Sequence, residues 1–198
     1  ELSWKYNIKT LLFLGSSCIY PKFASQPIKE EYLMSSTLEK TNEFYALAKI
    51  AGIKLCEALR IQHNFNSICL MPTNLYGPGD NYHSLNSHVI PGLIKKFHNA
   101  KLNNSQFVNC WGTGSPLREF LYVDDLAEAC LYIIDKWNSP NIKIPKDKDG
   151  NEIFWLNVGS QFEISIKDLA NKIAYEIGFE GEICWDKDMP DGTPRKKL

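Results

Sequence analysis

The chain has 198 residues, of which 22 are lysine or arginine and 23 are aspartate or glutamate, so its formal net charge is -1. This balance excludes a surface-wide basic field for nucleic acid or an anionic membrane, and an anionic ligand has to be held by a few local cations. Hydrophobic residues make up 44% of the chain, enough for one substantial core, and they form no run that is long enough to span a bilayer.

The cysteines indicate a reducing compartment. No two of the six form a C-x-x-C pair and most stand inside apolar runs, so neither zinc ligands nor a disulfide framework is predicted. We therefore expect reduced thiols, no metal site and a cytoplasmic protein. The six positions are Cys18, Cys56, Cys69, Cys110, Cys130 and Cys184.

Strand-like and helix-like segments alternate along the chain, which is typical of an α/β fold with a parallel sheet. Short apolar runs between turn residues predict strands, and longer amphipathic segments predict helices. In chain order we predict a strand at 10–16, a helix at 42–62 capped by Asn42, a strand at 66–71, a helix at 89–100, a strand at 107–111, a helix at 121–136, a strand at 154–158, a helix at 165–177 and a strand at 182–185. Loops are predicted at 17–41, 73–87 and 139–152.

The first long helix carries a tyrosine and a lysine four residues apart, Tyr45 and Lys49. This spacing places both side chains on one helical face, where the ammonium stabilises a phenolate. Such a tyrosine can serve as a general acid or base near neutral pH. The bare pattern also occurs in helices where the tyrosine packs and the lysine is solvated, so it indicates catalysis only in combination with other residues.

Polar side chains follow the first two predicted strands. Ser16 and Cys18 come after the strand at 10–16, and Asn74 and Tyr76 come after the strand at 66–71. Ligands of open α/β sheets gather beyond the carboxyl ends of the strands, so we expect these four side chains to share one crevice. The serine hydroxyl would then reach the same substrate oxygen as the tyrosine.

Six segments, spread over most of the chain, are more specific than these patterns. They are GSSCIYP (15–21), TNEFYALAKIAGIKLCE (41–57), MPTNLYGPGDN (71–81), NSHVIPGLIKKFH (86–98), WGTGSPLREFLYVDDLA (111–127) and DGTPRK (191–196). Together they resemble the extended short-chain dehydrogenases/reductases that act on nucleotide sugars, the NAD-dependent epimerase/dehydratase family. Within that family, SSCIYP, NSHVIP and WGTGSPLREF resemble the epimerase-reductases of GDP-4-keto-6-deoxymannose.

This resemblance implies conversion of GDP-4-keto-6-deoxy-D-mannose to GDP-L-fucose, by epimerisation at C3 and C5 and then reduction of C4 with NADPH. Tyr45 would donate a proton to the C4 oxygen, and Ser16 would hydrogen-bond the same oxygen. Lys49 would hold the nicotinamide ribose and favour the Tyr45 phenolate. Cys18 and His88 would be the base and the acid of the epimerisation.

The resemblance also implies binding residues for the NADPH cofactor and for a GDP-sugar substrate. Lys96 stands where the family tends to have arginine, and lysine lacks the bidentate fork of a guanidinium. The implied cofactor-binding residues are Leu14, Gly15, Ser16, Ser17, Tyr45, Lys49, Pro72, Thr73, Asn74, Leu75 and His88. The implied substrate-binding residues are Asn74, Lys96, Trp111, Arg118, Asp191 and Lys196.

The fold that the resemblance implies is a Rossmann-like parallel sheet with a smaller α/β substrate-binding domain. Residues 1–75 would be the C-terminal portion of the dinucleotide-binding domain, and residues 76–198 mainly the nucleotide-sugar-binding region, with 107–136 and 154–158 partly returning to the Rossmann sheet. The family's G-x-x-G-x-x-G loop has no match in the chain, nor has the segment that distinguishes NADPH from NADH. We therefore expect a fragment with little or no reductase activity alone.

Other interpretations stay open. Another nucleotide-sugar 4-epimerase or dehydratase of the same family, or a non-catalytic nucleotide-binding relative, would share the fold. From the residues alone, Cys18 also fits an inert thiol, and Arg118 with Glu119 fits a surface ion pair. Relatives often pair through their long helices, so a homodimer is expected.

Overall fold

The computed structural model describes residues 1–84, 86–137 and 143–198. Of the loop predicted at 139–152, residues 139–142 lie outside the described residues. The helices are α1 (Leu2–Lys5), α2 (Glu43–His63), α3 (Val89–Leu102), α4 (Val123–Lys136) and α5 (Ile166–Ile177). The strands are β1 (Leu11–Leu14), β2 (Ser67–Pro72), β3 (Asn74–Tyr76), β4 (Phe107–Trp111), β5 (Leu117–Tyr122), β6 (Trp155–Val158), β7 (Glu163–Ser165), β8 (Glu182–Asp186) and β9 (Arg195–Lys196).

The central sheet consists of three parallel strands in the order β1-β2-β6. Every residue of β2 is buried, because helices cover both of its faces. Ile68 and Leu70 face α4, and Cys69 and Met71 face α2. Each fully buried aliphatic side chain of this kind contributes about 1.5–3 kcal/mol to stability. The predicted α/β fold with a parallel sheet is confirmed.

Helix α2 runs for 21 residues along this sheet and presents Tyr45 near its start. It ends at His63, and the left-handed backbone of the next residue, Asn64 (φ 51°), lets the N–H of Phe65 donate to the carbonyl oxygen of Leu59 at 3.3 Å. The predicted cap is corrected in part: Asn42 occupies the N-cap position, but its side chain makes no capping hydrogen bond. Instead the Glu39 carboxylate accepts the backbone N–H of Asn42 at 3.1 Å.

The long loop after β1 is held against the sheet by buried polar contacts. The Tyr20 hydroxyl donates to the side-chain oxygen of Asn157 on β6 at 2.6 Å. The Glu30 carboxylate accepts the backbone N–H of Asn157 at 2.9 Å, and the Glu30 carbonyl accepts the Trp155 indole N–H at 3.0 Å. These contacts hold the long loop against the sheet, and so hold in place Ser16 and Cys18 at its start.

A second core lies between α3, α5 and the parallel pair β4–β8, with Phe97 fully buried at its centre. Strand β4 pairs with β8 and not with the central sheet. Strand β6 pairs with β2, and side chains of α4 pack against the central sheet. The division of the chain into two domains at residue 75 stays a prediction.

The predicted helix at 121–136 is corrected at its start. Residues 117–122 form strand β5, and helix α4 begins only at Val123. Within β5 the buried residues alternate, with Glu119 and Leu121 inside, as a strand requires. Charged residues at Arg118 and Glu119 conceal this period in the sequence. Strand β3, inside the predicted loop at 73–87, pairs in parallel with β5.

Among the described residues, no helix combines the length and the apolar character needed to cross a membrane.

Candidate active site

A cleft of about 540 Å³ opens at the carboxyl ends of β1 and β2. It brings together four of the five predicted catalytic residues, Ser16, Cys18, Tyr45 and His88. Ser16, Cys18 and Tyr45 come from the loop after β1 and from α2, which both belong to the central sheet layer. His88 comes from the start of α3, which packs in the second core. The expectation that Ser16, Cys18, Asn74 and Tyr76 share one crevice agrees with this lining.

Ser16 sits at the turn that leaves β1. Its side-chain oxygen accepts the backbone N–H of Cys18 at 3.1 Å and so caps the short 3-10 turn Ser17–Ile19. The same hydroxyl also hydrogen-bonds the Cys18 thiol, so a ligand oxygen in the cleft would compete with the sulfur for its hydrogen. The turn starts close to β2, since a side chain at Gly15 would collide with Met71.

Tyr45 and Lys49 lie on one face of α2, as their spacing predicts. The Lys49 ammonium donates to the carbonyl oxygen of Leu14 at 2.9 Å and lies 5.7 Å from the centre of the Tyr45 ring. It also lies 5.4 Å from the Phe13 ring centre. Tyr45 is 47% exposed and faces the cleft, whereas Lys49 stands behind it and does not line the cleft.

Cys18 is half-buried beside a cation from the far end of the chain. The Lys196 ammonium lies 3.1 Å from the Cys18 sulfur. Burial alone raises the pKa of the Cys18 thiol, but the Lys196 charge, hydrogen bonds from Ser16 and Lys196, and the Arg118 charge outweigh it and lower the pKa below its ordinary value. A thiol in such a setting carries thiolate character near neutral pH.

His88 lines the cleft from the N-cap position of α3. Its backbone is extended and its carbonyl accepts the N–H of Gly92 at 3.0 Å. The start of the helix therefore fixes the backbone position that carries the imidazole. Cys18 and His88 thus line one cavity although 70 positions separate them in the sequence.

The predicted cofactor-binding residues line this cleft, with the exception of Lys49. The turn after β2 is anchored on β5: the Thr73 hydroxyl and the Asn74 amide both donate to the Glu119 carbonyl, at 3.0 and 2.8 Å. This contact uses the amide nitrogen of Asn74 and leaves its side-chain oxygen for a ligand.

The other predicted substrate-binding residues lie outside the cleft lining. The Lys96 ammonium donates to the Asn109 carbonyl at 3.0 Å and lies 5.2 Å from the centre of the Trp111 ring, which is 52% exposed. Arg118 donates to the carbonyl of Asp191 at 3.4 Å. Lys96 and Trp111 form a cationic and aromatic pair, and Arg118 lies beside Asp191, which holds the turn after Trp111. We call Lys96, Trp111 and Arg118 the outer patch.

The carboxylate of Asp191 is already engaged within the protein. It accepts the Thr113 backbone N–H at 2.7 Å and the Thr113 hydroxyl at 2.8 Å. This contact closes the turn after β4, where Gly112 has φ 75°. Asp191 therefore shapes the edge of the outer patch by holding that turn.

Glu119 corrects the surface ion pair considered from the sequence. Its side chain is fully buried, and its carboxylate accepts the backbone N–H groups of Gln161 at 2.6 Å and Leu198 at 2.8 Å. It thus ties Leu198 to β5. The two adjacent charged residues at 118 and 119 conceal the alternation of buried residues in β5, so no signal for this burial is visible in the sequence.

The sequence pattern also missed several residues of the cleft wall. Asn42 lies one turn before Tyr45, and Phe120 and Val123 approach from β5 and α4. Their sequence signal was weak, because each belongs to an element whose start or end the pattern placed differently. No cluster of three or more His, Cys, Asp or Glu side chains within residues 1–84, 86–137 and 143–198 is arranged to hold a metal ion.

Comparison with known proteins places this geometry among related folds. Residues 1–144 match the NAD dependent epimerase/dehydratase family. The chain is 53% identical over 196 residues to GDP-L-fucose synthase 1 of Arabidopsis thaliana, covering 99% of this chain and 57% of that protein. The chain thus spans little more than half the length of this relative.

Two solved structures have a similar fold. A GDP-6-OMe-4-keto-L-xylo-heptose reductase from C. jejuni superposes with a TM-score of 0.86 at 32% identity, over 99% of this chain and 64% of the other. A GDP-L-fucose synthetase from Naegleria fowleri bound to NADP superposes with a TM-score of 0.82 at 27% identity, over 98% of this chain and 59% of the other.

Proposed function

Because the chain belongs to the NAD dependent epimerase/dehydratase family, we propose that the protein carrying it converts GDP-4-keto-6-deoxy-D-mannose to GDP-L-fucose. The reaction would epimerise C3 and C5 and then reduce C4 with NADPH. The observation that carries the proposal is the shared cleft of Ser16, Cys18, Tyr45 and His88. Its support from outside the chain is the 53% identity with the Arabidopsis synthase.

Epimerisation uses the Cys18 and His88 sides of the cleft. A ketone at C4 acidifies the hydrogens at C3 and C5, because the resulting enolate spreads its charge onto the C4 oxygen. The Cys18 thiolate removes one of these protons, and an imidazolium at His88 returns a proton to the opposite face of the same carbon. The lowered pKa of Cys18 supplies the thiolate that this step needs.

Reduction uses the other pair. The Tyr45 hydroxyl protonates the C4 oxygen, and the Ser16 hydroxyl donates to the same oxygen in place of the Cys18 sulfur. Lys49, fixed against the Leu14 carbonyl beside the Tyr45 ring, stabilises the phenolate that remains.

The residues present fit the nicotinamide end of NADPH. When bound, NADPH supplies the hydride for C4. The ends of β1 and β2, residues 14–17 and 72–75, form two walls of the cleft. Lys49 would have to turn from the Leu14 carbonyl to reach a ribose hydroxyl. The glycine-rich loop that would hold the pyrophosphate has no counterpart in the 198 residues, so we continue to expect little reductase activity from this chain alone.

The outer patch suits the GDP portion of the substrate. Arg118 offers a guanidinium fork to the diphosphate, and the exposed Trp111 ring offers a stacking face for the base. We further propose a homodimer. We also propose a cytoplasmic location, which accords with the six free thiols.

Three alternatives are disfavoured by particular residues. A dehydratase of this family needs an acid–base pair of carboxyl groups next to the serine, and Ser17 and Cys18 stand there instead. A simple 4-epimerase has no use for a thiolate facing a histidine. A non-catalytic relative would have no reason to keep Ser16, Tyr45 and Lys49 together in one arrangement.

The decisive experiment follows deuterium at the sugar ring. The full-length protein carrying this chain is incubated in D2O with GDP-4-keto-6-deoxymannose and without NADPH. We expect label at C3 and C5, because the epimerisation needs no hydride. Cys18→Ser should abolish this exchange and spare the reduction of a pre-epimerised ketone.

Cys184→Ser is the matched control, because Cys184 is also half-buried but lies on β8, outside the cleft lining. It should exchange at the normal rate. Exchange that persists in Cys18→Ser, or label confined to another carbon, would contradict the proposed function.

A further inference from the structure

Lys196 reaches Cys18 from behind the cleft. Cys18 stands in the wall between the cleft and a small cavity of about 30 Å³, and Lys196 lines the small cavity only. A space of this size matches about one water molecule and excludes a sugar ring. The ammonium therefore contacts the Cys18 sulfur, 3.1 Å away, and acts on that atom rather than on the sugar.

The backbone around Lys196 holds it there on both sides. Strand β9 pairs in parallel with β5, with Arg118 opposite Lys196. The backbone of Lys197 accepts the N–H of Ile28 at 2.7 Å and donates to the Gln26 side chain at 2.8 Å. An ammonium on a strand that is fixed to the sheet and to the loop after β1 loses little further freedom when it pairs with the thiolate.

We propose that Lys196 is a positioning residue that holds Cys18 in the thiolate form, ready to remove a proton from the sugar, and that it does not bind the sugar itself. The proposal rests on the proposed function and deepens it, because it names what prepares the base of that site. It also replaces the substrate contact that the sequence resemblance implied for Lys196.

The proton balance is simple. The C–H bond at C3 or C5 breaks, its proton forms an S–H bond with Cys18, and its electron pair moves into the enolate with the charge on the C4 oxygen. The Lys196 charge lowers the cost of forming the thiolate before the transfer, and Lys196 takes no part in the transfer itself. His88 supplies the proton that ends the step.

The other charged groups around Cys18 do not take over the role of the Lys196 ammonium. The Glu39 carboxylate is occupied by the side chain and backbone of Thr41 and Asn42. Arg118 acts on the thiol from β5 but donates to the carbonyl oxygens of Leu117 and Asp191. The titratable and charged side chains that share either cavity with Cys18 are Tyr20, Lys22, Glu39, Tyr45, Tyr76, Asp80, His88, Arg195 and Lys196.

The test measures the thiolate directly. Iodoacetamide alkylates Cys18 when its thiolate displaces iodide, and the rate at each pH is read from the Cys18 peptide by mass spectrometry. Loss of a neighbouring positive charge reduces the thiolate fraction, so we expect alkylation of Lys196→Met to be about tenfold slower at pH 7 and its pH profile to move upward. Lys196→Arg, which keeps the charge, should restore most of the rate.

Lys197→Met is the matched control. Lys197 is the next residue on the chain, and its ammonium lies 3.9 Å from Glu163 rather than at the thiol. Its alkylation profile should coincide with that of the unmodified protein. A Lys196→Met profile that also coincides would overturn the proposal, as would a raised KM for the sugar with an unchanged profile.

The same variants separate this inference from the proposed function. If Lys196→Met shifts the alkylation profile while Cys18→Ser leaves deuterium exchange intact, then Lys196 does activate the thiol but the thiol is not the base. If both variants lose exchange and Lys196→Met keeps its normal alkylation profile, the proposed function stands and Lys196 does not act by stabilising the thiolate.

Discussion

The cleft and the outer patch differ in what fixes their side chains. In the cleft, Ser16 and Tyr45 are set by a buried parallel sheet and by a helix packed on it. In the outer patch, Lys96 and Trp111 stand on exposed faces of α3 and β4, and each is held mainly by one neighbour. Reacting groups need placement within a fraction of an ångström, whereas recognition of a flexible nucleotide tolerates mobile cations. Substitutions in the two regions should therefore act on different kinetic constants.

The largest effect is expected from Tyr45→Phe. Without its hydroxyl the C4 oxygen has no proton donor, and reduction should slow by about 10²–10⁴-fold. Deuterium exchange at C3 and C5 should continue. Tyr175→Phe, on the exposed face of α5, is the control. Loss of exchange together with reduction would mean that the two chemistries do not use separate residues.

A smaller effect, on stability and on the epimerisation step, is expected from Glu119→Ala. Its buried carboxylate holds two backbone N–H groups, and hydrogen bonds to a charged group contribute about 1.5–3 kcal/mol each. We expect a lower denaturant midpoint and slower exchange, because β9 and Lys196 lose an anchor. An unchanged midpoint would show that the tail is held without Glu119.

Arg118→Met should act on the outer patch. We expect KM for the GDP-sugar to rise about tenfold, since one charge-assisted contact to the diphosphate is lost. Steady-state kinetics of the reduction measures it, with Lys172→Met on the solvent face of α5 as the control. A fall in the rate of reduction at saturating substrate, with KM unchanged, would place Arg118 among the cleft residues instead.

The smallest effect is expected from Lys96→Arg, which introduces the fork that the family tends to have. The Kd for GDP should fall by about two- to threefold, because a guanidinium binds a phosphate through two parallel hydrogen bonds and still stacks on Trp111. Isothermal titration with GDP checks this. Unchanged or weaker affinity would remove Lys96 from the site.

The sequence predicted the elements that carry long apolar patterns and missed those that depend on distant partners. Helix α2 and strands β1, β2, β4, β6 and β8 are visible as local periodicities. Strands β3, β7 and β9 are two or three residues long, and such short segments are strands only because β5 pairs with them. Short pairings of this kind leave no local pattern.

The candidate site divides in the same way. Tyr45 and Lys49 are one helical turn apart, so their proximity follows from the spacing. The contact between Cys18 and Lys196 joins positions 178 residues apart, and no local rule predicts it. Only the register of β9 on β5, which sets Lys196 opposite Arg118, brings the ammonium to the thiol.

Because of that long separation, the two halves of the chemistry are completed at different times during synthesis. As the polypeptide emerges from the ribosome, Ser16, Tyr45 and Lys49 all appear well before β9. The counter-ion of Cys18 follows much later, with β9. A nascent or prematurely terminated chain that stops short of Arg195 therefore contains Ser16, Tyr45 and Lys49, but its Cys18 thiol has no Lys196 ammonium beside it.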